Sequence, residues 1–238
     1  MNLDQACRTD RLRRRRTVVA ALLVVHAGLL AWGALRHSPT VDEPGHLAAG
    51  IYHWHFGRFD LDRGNPPLTG LVAACPVLSA RPKTDWSRVP YTFSVCRDFL
   101  AANGLRTCWL VTLGRWACIA FSLAGGYVCY RWASELYGHA SGLLALLLWC
   151  FSANTIAHGQ MITGDMPATA MGIAAFYVYW KWLSRPSLSG AVLAGLFLGL
   201  DFLIYPAHHG ARGHVPWYDW LLFAITIGVT GWLAWRSS

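Results

Sequence analysis

Arg11-Leu-Arg-Arg-Arg-Arg16 runs directly into Thr17-Val-Val-Ala-Ala-Leu-Leu-Val-Val-His-Ala-Gly-Leu-Leu-Ala-Trp-Gly-Ala-Leu35. The apolar run is close to the roughly 20 residues that a helix needs to cross a hydrocarbon core about 30 Å thick. It is longer than the apolar region of a signal peptide, and no Ala-x-Ala cleavage site follows it. The stretch therefore predicts a retained first membrane helix. The Arg cluster before it, which includes Arg8, places the N-terminus in the cytoplasm, because basic residues flanking a span stay on that side.

Five further segments have comparable apolar character, at residues 110–130, 141–157, 166–183, 188–205 and 217–235. The expectation is an all-α polytopic bundle of about six transmembrane helices, since lipid offers no partner for an unpaired backbone group. Composition agrees: 55% of the 238 residues are hydrophobic and only 13% are charged, against roughly 25% charged in ordinary soluble domains. The formal net charge of +8 is concentrated at the N-terminus beside a span, which reads as an orientation signal and excludes nucleic acid as the partner. Alternation returns Arg131, Lys181 and Arg185 to the cytoplasmic side. It leaves residues 41–65, 158–165 and 206–217 on the outer side of an inner membrane.

This divides the chain into a basic tail at 1–16, a membrane domain at 17–200 with a long outer loop at 36–109, and a divergent end at 201–238. In the outer loop, Leu47, Ile51, Tyr52 and Phe56 recur at helical spacing and predict an amphipathic helix on the membrane surface. A polar turn follows, Asp60-Leu-Asp-Arg-Gly-Asn65. Residues 66–80 are apolar but too short to span, are interrupted by Pro76, and read as an interfacial or re-entrant helix.

Three positions carry candidate chemistry. Asp42-Glu43 precedes Pro44 at a helix start, where acids serve as caps or, at a membrane surface, as a general base. Asp165 stands before Met166-Pro167 at the next such start, again a cap or the second acid of a site. Arg115 lies in the outer half of the second span, suited to snorkelling or to holding a lipid phosphate with its planar fork. Ten His raise the question of a metal. However, His53 and His55 point to different faces of their helix, His26 and His139 are single, and no i, i+4 pair forms a ligand set. His208, His209 and His214 sit in one loop. Of seven Cys, Cys118, Cys129 and Cys150 read as small hydrophobes. Cys96 and Cys108 fall in the outer loop, where a disulfide is left open.

Taken in order, Val41-Asp-Glu-Pro-Gly-His-Leu-Ala-Ala-Gly50, Asn65-Pro-Pro-Leu68 and Ala157-His-Gly-Gln-Met-Ile-Thr-Gly-Asp165 resemble membrane glycosyltransferases of GT-C fold. The resemblance is to the polyprenyl-phosphate-sugar-dependent group that includes protein O-mannosyltransferases and aminoarabinose transferases. Tyr137-Gly138 fits the same pattern, and the likeness covers residues 17–200. It implies an inverting transfer of a sugar from a polyprenyl phosphate to a hydroxyl of a lipid, glycan or protein acceptor outside the cytoplasm. Asp42 would be the base, with Glu43 and His46 orienting it or contacting the acceptor. Asp165 would be the second acid near the sugar, Arg115 the partner of the lipid phosphate, and Asn65 and His158 further substrate contacts. The resemblance brings no cofactor of its own and leaves a divalent ion open. No Gly-rich nucleotide loop is visible, in keeping with a lipid-linked donor.

The chain departs from that pattern after Leu200. Family members have about eleven spans or more, often with a soluble C-terminal domain, and Asp201-Phe-Leu-Ile-Tyr-Pro206 does not match them. The expectation is a truncated or frameshifted N-terminal half. The alternative is a non-catalytic membrane subunit or transporter fragment in which Asp42 and Asp165 are caps.

Overall fold

The computed structural model describes residues 3–62, 65, 67–89 and 91–202. Every regular element among them is α-helical, so the all-α expectation holds. In chain order these are α1 (Leu3–Arg36), α2 (Glu43–Phe56), α3 (Pro67–Ser79), α4 (Thr92–Asn103), α5 (Arg106–Tyr137), α6 (His139–Phe151), α7 (Ala153–His158), α8 (Asp165–Ser184) and α9 (Leu188–Phe202). The expected sixth span and the three-His loop lie outside the described residues.

Long α5 is the spine. α1 packs antiparallel to it: Trp116 donates its indole N–H to Ala31 O (3.3 Å), and further along His26 bonds Ser122 Oγ (2.9 Å). His26 also bonds Cys150 O at 2.9 Å, so one fully buried imidazole clips α1, α5 and α6 together. α6 doubles back along α5, and its Trp149 lies over Gly125 and Gly126, where a Cβ would come within 2.7 Å of the indole. Small residues at such crossings let helices approach without a driving force from water. α8 then runs alongside α5 in the same direction, from Ala170 beside Gly125 to Tyr177 beside Glu135.

These directions create two ends. One collects Arg131, Glu135 and Lys181, with Arg131 Nη2 2.8 Å from Glu135 Oε1 and Lys181 Nζ 3.6 Å from Oε2. The Arg run of α1 belongs there too, since Arg15 lies close enough to act electrostatically on His139. The other end holds the α1–α2 turn, the start of α5 and the 158–165 segment.

Among the described residues two helices are long and apolar enough to cross a membrane, Leu12–Arg36 and Arg106–Tyr137. α1 also presents Val24, Val25 and Trp32 outward, with Val24 70% exposed, which points to membrane association. The count of six is not reached among the described residues. The third expected span is split into α6 and α7 by extended backbone at Ser152 (ψ 130°), leaving 13 and 6 residues. α3 and Leu188–Phe197 of α9 are apolar but short. Hydropathy adds up apolar residues wherever they occur and does not register a backbone break.

The outer loop also differs from its reading. α2 is not a helix resting on a surface: Glu43, Pro44, Gly45, Leu47, Ala48, Ala49, Gly50, Ile51, Tyr52 and His53 are all buried. Of the four residues that suggested amphipathicity, only Phe56 is exposed. The small residues of α2 admit α3 on one side, and α4 and α5 cover the rest. α4 was not foreseen. Its Val95, Phe99 and Asn103 face inward at i, i+4 and i+8, and Asn103 bonds both Lys83 N–H and Lys83 O, at 3.0 and 2.8 Å. α3 runs through Pro76 without ending. Cys96 and Cys108 are free thiols, and Cys118 and Cys150 are buried as the apolar reading expected.

The α2–α3 crossing is a sharp test of this packing. A Cβ on Gly50 would lie 2.0 Å from the carbonyl oxygen of Gly70, a backbone atom that cannot rotate away. Gly50→Ala is expected to destabilise by about 1–3 kcal/mol through overpacking. Gly195→Ala, with nothing within 4 Å, is expected to be neutral or stabilising by roughly 0.5–1 kcal/mol from helix propensity. Thermal unfolding of the two variants in detergent checks the contrast.

Candidate functional site

The centre of the second end is an ion pair withdrawn from solvent. Arg115 is 1% exposed and Glu43 fully buried. Arg115 Nε donates to Glu43 Oε1 (2.7 Å) and Nη2 to Oε2 (2.6 Å), a two-point fork. Nη1 donates to Ala34 O and His37 O (3.1 and 2.8 Å), and Nη2 also to Ser38 O (3.0 Å). A guanidinium has five N–H donors, and all five are thereby used. The carbonyls are those at the C-terminal end of α1 and just beyond it, which lack helical partners.

Glu43 is equally well satisfied. Its Oε2 accepts Thr40 N–H (2.8 Å) and the Thr40 hydroxyl (3.1 Å), and its Oε1 accepts Ile162 N–H (3.0 Å). Burial alone would push the Glu43 carboxyl upward. The Arg115 fork and the two backbone N–H groups outweigh it and hold the group below the ordinary glutamate range. One carboxylate thus ties the α1–α2 turn, the N-terminal part of α5 and the loop before α8. Gln160 adds a second tie, with Nε2 3.3 Å from His37 Nδ1, and it presses against Gly33, where a Cβ would come within 2.2 Å of Oε1.

Arg115 was expected to meet a lipid phosphate. That role needs a free N–H and an accessible fork, and this Arg has neither. Glu43 likewise faces inward, away from any acceptor.

The other expected residues lie around this lock. Asp42 is exposed at the start of α2 and makes no side-chain capping bond. Among the described residues its carboxylate has no hydrogen bond or ion pair, so any help it gives α2 comes through the helix dipole. Successive helix residues are turned by roughly 100°, so burying Glu43 turns Asp42 out. Asp165 opens α8 and is also exposed, without a capping bond. Its Oδ2 lies 3.5 Å from Nδ1 of half-exposed His158.

His46 stands one turn from Asp42 and reaches a residue the sequence reading did not single out. Its Nδ1 is 2.9 Å from Asp62 Oδ2. Asn65 Nδ2 donates to the other oxygen of Asp62 at 3.0 Å, and the Asp62 backbone N–H donates to Thr92 Oγ1 at 3.1 Å. Burial raises the Asp62 carboxyl, but the bonds from His46 and Asn65 bring it below its ordinary range. Asp62 adopts φ +58°, the left-handed region that Asp and Asn tolerate better than most residues. The polar character of the turn was legible, but the turn's closure onto His46 was not.

The structure therefore assembles two polar groups at one end of the bundle, Asp42–His46–Asp62–Asn65 and His158–Asp165, joined through Glu43 and Ile162. Among the described residues no cluster of three His, Cys, Asp or Glu side chains comes close enough to hold a metal ion, so no role is derived for one. Comparison with protein-family models, curated proteins and solved structures gives no match.

Removing one member of the buried pair leaves the other charge stranded. Arg115→Met is expected to cost about 3–5 kcal/mol, and Glu43→Gln with Arg115→Met together much less than the single change. The sign of the pH dependence follows from the depressed carboxyl. The pair's contribution is complete above the unfolded value of 4.5 and is lost as pH falls through the lower folded value. Thermal stability measured from pH 7 to below pH 4 should fall more steeply for the wild type than for Glu43→Gln.

Proposed function

We propose that this chain is a membrane glycosyltransferase of GT-C type, or its N-terminal portion, which transfers a sugar from a polyprenyl phosphate to an acceptor hydroxyl. In this reading the bundle has about six spans in an inner membrane. The end bearing Arg131 and Lys181 faces the cytoplasm, and the Asp42 and Asp165 end faces outward.

One observation carries the reading. The Glu43–Ile162 hydrogen bond draws the Asp-Glu motif and the Ala157–Asp165 motif together, 119 residues apart in sequence, while Asp42 and Asp165 remain exposed carboxylates. Neither carboxylate is bonded to a backbone N–H group, which leaves both open to a substrate.

In the reaction, Asp42 takes the proton of the acceptor hydroxyl as its oxygen bonds the anomeric carbon. The carbon–oxygen bond to the lipid phosphate breaks on the opposite face, which inverts the centre. The phosphate leaves carrying its own charge and needs electrostatic stabilisation rather than a proton. Arg115 is committed to Glu43, so another cation must supply that stabilisation. Asp165, with His158 beside it, stands near the sugar.

The competing reading, a non-catalytic membrane subunit, draws on the same lock: Glu43 and Arg115 spend their full hydrogen-bonding capacity on the protein itself. Reconstitution in vesicles with labelled polyprenyl-phosphate sugars separates the two. The transferase reading expects release of sugar from the lipid, and a loss of about 100-fold or more in Asp42→Asn with insertion and thermal stability unchanged. Release by Asp42→Asn at the wild-type rate would remove Asp42 as the base.

A further inference from the structure

Asp62 lies outside the three motifs that suggested a transferase, yet it makes the closest polar contact in the exposed part of the site. A carboxylate facing a ring nitrogen at 2.9 Å keeps the proton on that nitrogen. The tautomer of a neutral His is set by the bond its other nitrogen makes. With Nδ1–H held by Asp62, Nε2 carries the lone pair. Nε2 has no partner among the described residues, and the His46 side chain retains 19% exposure. His46 N–H bonds Asp42 O at the start of α2, so the two side chains stand one turn apart on the same face.

The turn around Asp62 is built to hold this direction. Its backbone N–H is fixed by Thr92 of α4, its second oxygen by Asn65, and its conformation is left-handed. α4 is anchored in turn by Val95 and Phe99, both 1% exposed. A solvated charge run would need none of this.

Resting on the transferase reading, we propose that Asp62 and His46 form a positioning dyad: Asp62 fixes the Nδ1–H tautomer of His46, and His46 Nε2 accepts a hydrogen bond from a second hydroxyl of a polyol acceptor, next to the one that Asp42 deprotonates, so that the reacting O–H is left to Asp42. The ligand class is a hydroxyl donor, and Asp62 is a positioning residue that touches no substrate. The arrangement follows the general logic of a reactive group oriented through a His held by a carboxylate.

Two Asp62 variants keep the backbone unstrained. Asp62→Gly accepts the positive φ and removes the carboxylate, and Asp62→Asn keeps φ and shape without the charge. The first measurement is 15N NMR of His-labelled full-length protein in detergent at pH 8, with the His46 signals assigned by their loss in His46→Gln. The dyad expects the Nδ1–H form in the wild type and a shift toward the Nε2–H form in Asp62→Gly. A wild-type Nε2–H signal, or one unmoved by Asp62→Gly, overturns the dyad.

The second measurement is sugar release from undecaprenyl-phosphate hexoses in vesicles, with glycerol as the hydroxyl probe. Asp62→Gly and His46→Gln are each expected to raise the KM for glycerol about tenfold and leave the KM for the donor unchanged. The double variant should be no worse than either single one. Equal effects on both substrates, or none on glycerol, overturn the hydroxyl-binding role. Wild-type protein that releases no sugar from any donor overturns the transferase reading and that role with it, while the NMR result still decides whether the dyad exists.

Discussion

A guanidinium and a carboxylate taken out of water lose hydration worth several kcal/mol each, and only complete replacement of their hydrogen bonds makes the exchange tolerable. Arg115 and Glu43 meet that condition, with five donors filled on one side and three protein segments bonded on the other. The consequence is positional. The end of α1, the start of α2, the N-terminal part of α5 and the loop before α8 cannot move independently without stranding a charge. Everything exposed around the site takes its place from that lock, including the outward direction of Asp42.

The lock also explains why one motif residue, Glu43, leaves the site proper. Asp42 and Glu43 look equivalent as adjacent acids, yet a helix sends neighbours in different directions. Only one of them can face Arg115. The inward residue becomes architecture and the outward one stays exposed. The same division appears at the second motif, where the backbone of Ile162 binds Glu43 and the side chain of Asp165 stays in solvent. Each motif contributes one anchor and one exposed carboxylate.

Packing around the lock depends on small residues more than on large ones. Gly50 against Gly70, Gly33 against Gln160, and Gly125 with Gly126 under Trp149 are close approaches that a single methyl group would obstruct. They let short helices such as α2 and α3 fill the space beside α5, so a helix expected on a surface lies in the core. Apolar content alone does not distinguish a side chain facing lipid from one facing another helix, because both environments accept it.

Several features were legible in the sequence because they depend on local composition. Helical class, the two long apolar helices and the different faces of His53 and His55 all follow from periodicity over a few turns. The residue types of the candidate site were legible too, as acids and His beside Pro at helix starts. What decided their roles was distance in space between residues far apart in the chain. Arg115 is 72 positions from Glu43, and no local pattern announces that its fork is filled from within. Asp62 sits in a turn that reads only as polar, and its meaning appears when α2 and α4 bring His46 and Thr92 to it. The break at Ser152 and the burial of α2 were likewise decided by tertiary packing, since sequence periodicity records which residues are apolar and leaves open what they will touch.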